Sequence, residues 1–182
     1  MQPDKILLAL ALSLLPLAGF AQRPINPHPV IVPEEKEKPE WVEESIVPPV
    51  YPKDEDLIRV AIAASSNQFL VDGKTLNVGS DGVIRYTMVI RSNAGAENVT
   101  YEGIRCETRE KKLYALGHKD GTWIAARSPK WIAVNESGTR TYQTILMKDM
   151  FCPHEVAVKS VEEARGALRA GFHPSIQSKA KR

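Results

Sequence analysis

Apolar and polar residues alternate most regularly between Val83 and Arg91. Ile84, Tyr86, Met88 and Ile90 fall on one side of the chain, and Val83, Arg85, Thr87, Val89 and Arg91 on the other. A period of two predicts a β-strand with one face on a core and one face partly wet. Ser92-Asn93-Ala94-Gly95 follows, with the residue types that tolerate the positive φ of a tight reversal. The return strand is expected over Glu97–Glu107, with Val99 and Tyr101 on one side and Thr100 and Glu102 on the other. Gly103 in its middle marks either a bulge or a close backbone approach. On the bulge reading, which is preferred, the phase shifts and Ile104 and Cys106 join Val99 and Tyr101 on the core side.

The same pattern extends in both directions. Leu57–Ala63 suits a strand better than a helix, because Gln68–Val71 and Thr75–Val78 continue as short strands around the turn Asp72-Gly73-Lys74. Lys112–His118 alternates, with Leu113 and Ala115 against Tyr114 and Leu116. Lys119-Asp120-Gly121 turns the chain and Thr122–Ala126 returns it. Trp131–Val134 is a further short strand, while Thr141–Met147 reads equally as strand or short helix. Trp123 and Trp131 are expected as core aromatics or covers of a sheet edge. Ser160-Val161-Glu162-Glu163 is a capping box that opens a helix ended by Gly171, with Val161, Ala164 and Leu168 along one face. The expected fold class is α+β: mainly an antiparallel β meander with one C-terminal helix, forming a single domain over residues 56–173.

Composition separates the remainder of the chain into zones. Residues 1–21 read as a signal peptide, with Lys5, an apolar run from Ile6 to Leu17, and the small residues Ala18-Gly19-Phe20-Ala21 before the cut. That run is too short for a membrane-spanning helix of about 20 residues, so the mature form is expected to lack a transmembrane segment. The implied location is the periplasm. Residues 22–55 hold eight prolines, and eight acids against four bases. Such a leader cannot fold alone, but Trp41, Val42, Ile46 and Val47 are expected to form an arm lying across the domain. Residues 174–182 form a basic tail, expected to be disordered. From Asp56 onward 19 bases face 13 acids, and this diffuse positive balance leaves an envelope protein, a glycan or an anionic lipid as candidate partners. Nucleic acid is not expected without a basic aromatic platform.

The candidate chemistry is sparse. Cys106 and Cys152 are the only cysteines. In an oxidising compartment they read as a structural disulfide rather than a redox or metal pair, being far from a Cys-x-x-Cys arrangement. The spacing of the four histidines provides no zinc motif, and there is neither a Gly-x-Ser-x-Gly elbow nor a glycine-rich phosphate loop. No metal or cofactor is therefore expected. What remains is a charged patch on the central hairpin. A turn near Ala94 sets Arg85 opposite Gly103 and beside Glu102, so Asp81, Arg85, Glu102 and Arg105 gather next to Tyr101. Two arginines there suit a carboxylate or phosphate ligand, while the plainer reading is cross-strand ion pairs, Arg85 with Glu102 and Asp81 with Arg105.

Asp81-Gly82-Val83-Ile84-Arg85-Tyr86 and Asn98-Val99-Thr100-Tyr101-Glu102-Gly103-Ile104-Arg105-Cys106 resemble the cryptic neisserial protein-like family of proteobacterial envelope proteins. Phe151-Cys152-Pro153, and Trp41 with its Pro-Pro segment, extend the resemblance over roughly Trp41–Pro153. It implies an exported domain of unassigned biochemical role and brings no catalytic residues. Two functions are weighed: a non-enzymatic binding module of the envelope, and a hydrolase or transferase using the Asp81-Arg85-Tyr101-Glu102 patch. The missing nucleophile, metal set and cofactor loop favour the first.

Overall fold

The computed structural model describes residues 40–177, apart from 64, 136, 138 and 139. The expected signal peptide, the first part of the proline-rich leader and the last tail residues lie outside the described residues. Eight strands form one antiparallel sheet: β1 (Leu57–Val60), β2 (Gln68–Asp72), β3 (Asn77–Val78), β4 (Val83–Arg91), β5 (Glu97–Arg105), β6 (Glu110–Gly117), β7 (Trp123–Ala125) and β8 (Ile132–Ala133). The spatial order is β1-β2-β4-β5-β6-β7, with β3 also on β4 and β8 also on β6. The alternating run Val83–Arg91 is the centre of the sheet, and the fold is α+β as its pattern implied.

The β4–β5 hairpin is regular throughout, from Val83 opposite Arg105 to Arg91 opposite Glu97, and Arg85 does face Gly103. The bulge expected at Gly103 lies instead in β6. Tyr101 pairs with Ala115 and Glu102 with Leu113, which leaves Tyr114 as the extra residue. Gly103 supplies the close approach that this needs, because a Cβ there would sit 2.8 Å from the ring and hydroxyl of Tyr114. Ile104 and Cys106 consequently share a face with Tyr86 and Glu102, opposite Val99 and Tyr101. The bulge also breaks the alternation of β6: Tyr114 and Ala115 turn to one face, and Leu113 and Leu116 to the other.

Helices cover one face. Thr141 caps α1 (Tyr142–Ile145), its side-chain oxygen accepting from Thr144 N at 3.2 Å. The helix widens directly into a π-helical segment, Leu146–Phe151, so the ambiguous stretch Thr141–Met147 is helical. α2 (Val161–Ala170) ends on Gly171 at φ 79, a left-handed value that glycine adopts without strain. Ser160 Oγ accepts from Glu163 N at 3.1 Å, but the Glu163 carboxylate accepts from Lys159 N at 2.6 Å, one residue before the expected partner. Beyond α2, Pro174–Gln177 forms the short helix α3. Ile84, Tyr86, Met88 and Ile104 meet Leu146, Met150, Phe151 and Leu168 in the main core, each fully buried side chain contributing about 2 kcal/mol. The Cys106–Cys152 disulfide, with Cα atoms 5.5 Å apart, joins the end of β5 to the end of the π-helical segment.

The other face is also covered. Leu70, Val89 and Val99 form a second cluster with Tyr51, Leu57 and Trp123. Val83–Val89 is therefore buried on both sides, where the sequence pattern suggested a half-wet strand. The cover is the segment from Trp41 to Tyr51, which carries no regular secondary structure of its own.

Candidate functional site

The turn between β3 and β4 places Asp81 four residues before Arg85 on the arm-covered face. Arg85 is 1% exposed. Its guanidinium forks onto the Asp81 carboxylate, at 3.1 Å for Oδ1 and 2.5 Å for Oδ2. Such bidentate charged pairs are among the strongest hydrogen bonds a protein makes. Asp81 also accepts from Glu44 N at 2.9 Å and Val83 N at 3.1 Å. Glu44 lies 3.7 Å from Arg85 and accepts from the backbone and hydroxyl of Ser80.

The arm is held along its length by this face. Trp41 donates its indole N–H to Asp81 O at 2.8 Å, and the Arg105 guanidinium stacks 3.8 Å over its ring. Arg105 also pairs with Glu107 at 3.2 Å. Glu43 accepts from Lys112 Nζ at 2.7 Å, Tyr114 OH at 2.8 Å and Trp131 Nε1 at 3.2 Å. Trp123 donates to Pro49 O at 2.8 Å. Tyr101 lies beneath, its ring 5.5 Å from Tyr114 and 6.2 Å from Trp123. Trp41 and Ile46 are partly buried, whereas Val42 and Val47, expected to dock with them, are 78% and 83% exposed.

Glu102 points the other way. It lies opposite Tyr86 and is 5% exposed. Its Oε1 accepts from Thr100 Oγ1 and Tyr142 OH, both at 2.7 Å, and its Oε2 from Tyr86 OH at 2.9 Å. Of the proposed patch, then, Asp81, Arg85, Tyr101 and Arg105 share a face and Glu102 does not. Arg85 pairs with Asp81 and Glu44 rather than Glu102, and Arg105 with Trp41 and Glu107 rather than Asp81. The two carboxylates stand on opposite sides of the sheet and do not flank a common space. The partners that sequence reasoning missed are Glu43, Glu44, Lys112 and Tyr114 on one face, and Tyr86, Thr100 and Tyr142 on the other. A signal for the first set was present: an acidic pair beside a tryptophan, in an acidic segment preceding a basic domain.

Burial pushes the carboxyls of Glu43 and Asp81 upward, but their hydrogen bonds outweigh it. Lys112, Tyr114 and Trp131 hold Glu43 below the ordinary carboxylate value, and Arg85 with the backbone N–H groups of Glu44 and Val83 does the same for Asp81. Depressed folded values mean that the stabilisation is complete above the ordinary carboxylate range, about pH 4, and is lost as pH falls through the lowered values. Acidification from about pH 4 to pH 2 should therefore release the arm and red-shift the emission of Trp41, Trp123 and Trp131. Glu43→Gln should weaken that pH dependence, and an unchanged wild-type spectrum across the range would contradict the assignment.

Among the described residues no helix is long and apolar enough to cross a membrane. No solved structure matches the chain. Cryptic neisserial protein 1 of Neisseria gonorrhoeae is 30% identical to it over 132 residues, or 63% of this chain and 65% of the relative. The chain thus spans just under two thirds of that relative's own length. The sequence pattern of the CNP1-like family matches residues 36–169. The blocks that carry this likeness meet in space, Trp41 on Asp81 and Arg105, and Cys152 on Cys106. With well over half of its length matched, the chain belongs to the CNP1-like family.

Proposed function

We propose that the protein is exported to the periplasm and acts there as a non-enzymatic binding module of the cell envelope. The observation that carries this reading is the division of the hairpin's acids between two faces. Asp81 pairs with Arg85 on one side, and Glu102 accepts from three hydroxyls on the other. An acid–base pair needs both groups at one bond. The arm face instead holds an extended, acidic and aromatic peptide through charged hydrogen bonds and ring contacts, which are recognition chemistry. The apolar leader sequence and the disulfide support export.

The test is mass spectrometry on chain expressed with its own leader and recovered from the periplasm. The denatured mass should correspond to a start at Gln22 with two protons fewer than the dithiol. An uncut chain left in the cytoplasm with free thiols would refute export. Turnover of an envelope polymer by the wild type, lost in Glu102→Gln, would refute the non-enzymatic reading.

A further inference from the structure

The Glu102 carboxylate has three hydroxyl donors, and among the described residues no Lys, Arg or His nitrogen pairs with it. A buried carboxylate without a cation is costly to maintain. Its donors are fixed: burial and the charge of Glu102 raise both Tyr86 and Tyr142 above the ordinary phenol range, so they stay protonated. Oε1 takes two of these donors and Oε2 one, so a cation in the space beside them would meet the carboxylate's charge together with the lone pairs of the Thr100 and Tyr142 hydroxyls. It borders a cavity of about 340 Å³, lined also by Thr100, Lys111, Leu113, Ile132 and Tyr142. That volume is at the small end of ligand pockets.

The walls carry the second part of the pattern. Leu113 and Ile132 are 37% and 55% exposed, and Leu116 and Ile124 continue the apolar lip at 45% and 54%. Lys111 stands on the same face, paired in register with Ile104 and Ile132, and no carboxylate among the described residues pairs with it. Lys112 also borders the cavity, but its ammonium is bound to Glu43 at 2.7 Å on the other side of the sheet. Leu113 lies opposite Glu102, so Lys111 is two residues further along β6, about 7 Å at the rise of a strand. One cavity thus presents an acid and a base that are not neutralised by each other, with aliphatic surface between them.

We propose that this cavity binds a small zwitterion with an aliphatic spacer. Its ammonium group lies against Glu102 and the Tyr142 and Thr100 hydroxyls, its chain on Leu113 and Ile132, and its anionic end at Lys111. This deepens the binding-module reading and rests on it only in holding the ligand without turning it over. Failure of export would leave the site intact, and an empty site would leave export intact.

The test is calorimetric titration of the folded, disulfide-bonded chain with ε-aminocaproate, n-hexylamine and hexanoate, alongside amide NMR. The zwitterion should bind and shift Thr100, Leu113, Ile132 and Tyr142. Each single-charge analogue should bind about tenfold more weakly, as expected for loss of one charge-assisted contact. Glu102→Gln and Lys111→Met should each weaken the zwitterion by about the same factor. Lys111 is on the rim, so its variant and the analogue comparison decide the matter even if Glu102→Gln does not fold. No heat or shift up to roughly 10 mM, equal affinity of Lys111→Met and wild type, or shifts confined to the arm face would each overturn the site.

Discussion

Opening the Cys106–Cys152 bridge, by reduction or by Cys106→Ala with Cys152→Ala, should lower the unfolding free energy by roughly 4 kcal/mol. The bond closes a loop 46 residues apart in sequence. Within that loop lie β6, β7, β8, α1 and the π-helical segment, so the unbridged unfolded chain gains the freedom of more than a third of the domain. A domain of this size is stable by about 5–15 kcal/mol in total, so a large share would go. Both cysteines are buried in the main core, and paired alanines leave little room unfilled compared with the entropy released. Urea titrations of the oxidised, reduced and double-alanine chains measure the difference. A loss under about 1 kcal/mol would show that the loop is already constrained in the unfolded chain.

The second large effect should come from Arg85→Met, at roughly 3–5 kcal/mol, the range for breaking a buried ion pair from one side. The cost arises at Asp81, whose side chain is 2% exposed and would keep its charge with only backbone donors. Glu44 would lose the same cation, so the arm should loosen as well, which limited proteolysis between Val42 and Val50 can follow. Adding Asp81→Asn to Arg85→Met removes the stranded charge and should recover part of the loss. A double variant no better than Arg85→Met would mean that the cost comes from lost packing of the arginine stem instead.

The strands were legible in the sequence because their residues answer to period two, and the order of β4, β5, β6 and β7 follows from successive hairpins, whereas the return of β8 to β6 does not. The register of Arg85 against Gly103 could be counted back from the turn. The position of the bulge could not, since Gly103 and Tyr114 explain each other only once β5 and β6 are side by side. A glycine in a strand marks a close approach without stating what approaches. Thr141–Met147 is ambiguous for a related reason: Thr141 is a good cap, but Ile145, Leu146 and Met147 behind it are three consecutive buried apolar residues, a short run that suits a buried strand and a buried helix alike. Counting back from the turn sets Glu102 beside Arg85, but Glu102 pairs with Tyr86 and Arg85 with Gly103, and successive positions of a strand point to opposite faces. The arm was legible from Trp41 in an acidic segment, yet the exposure of Val42 and Val47 was not. Their apolar character suggested docking, while the contacts that hold the arm are largely polar.

Sequence separation along the arm sets an order of events. Trp41 must find Asp81, 40 positions away, and Glu43 must find Trp131, 88 positions away. Loops of that length close slowly and at an entropic cost that only finished partners can offset. A chain made from its N-terminus produces the arm before any strand it covers. The central hairpin, by contrast, needs only neighbours close in sequence and can form early. Seating of Glu43 between Lys112, Tyr114 and Trp131 therefore comes late, and reports that β6 and the segment leading into β8 are in place.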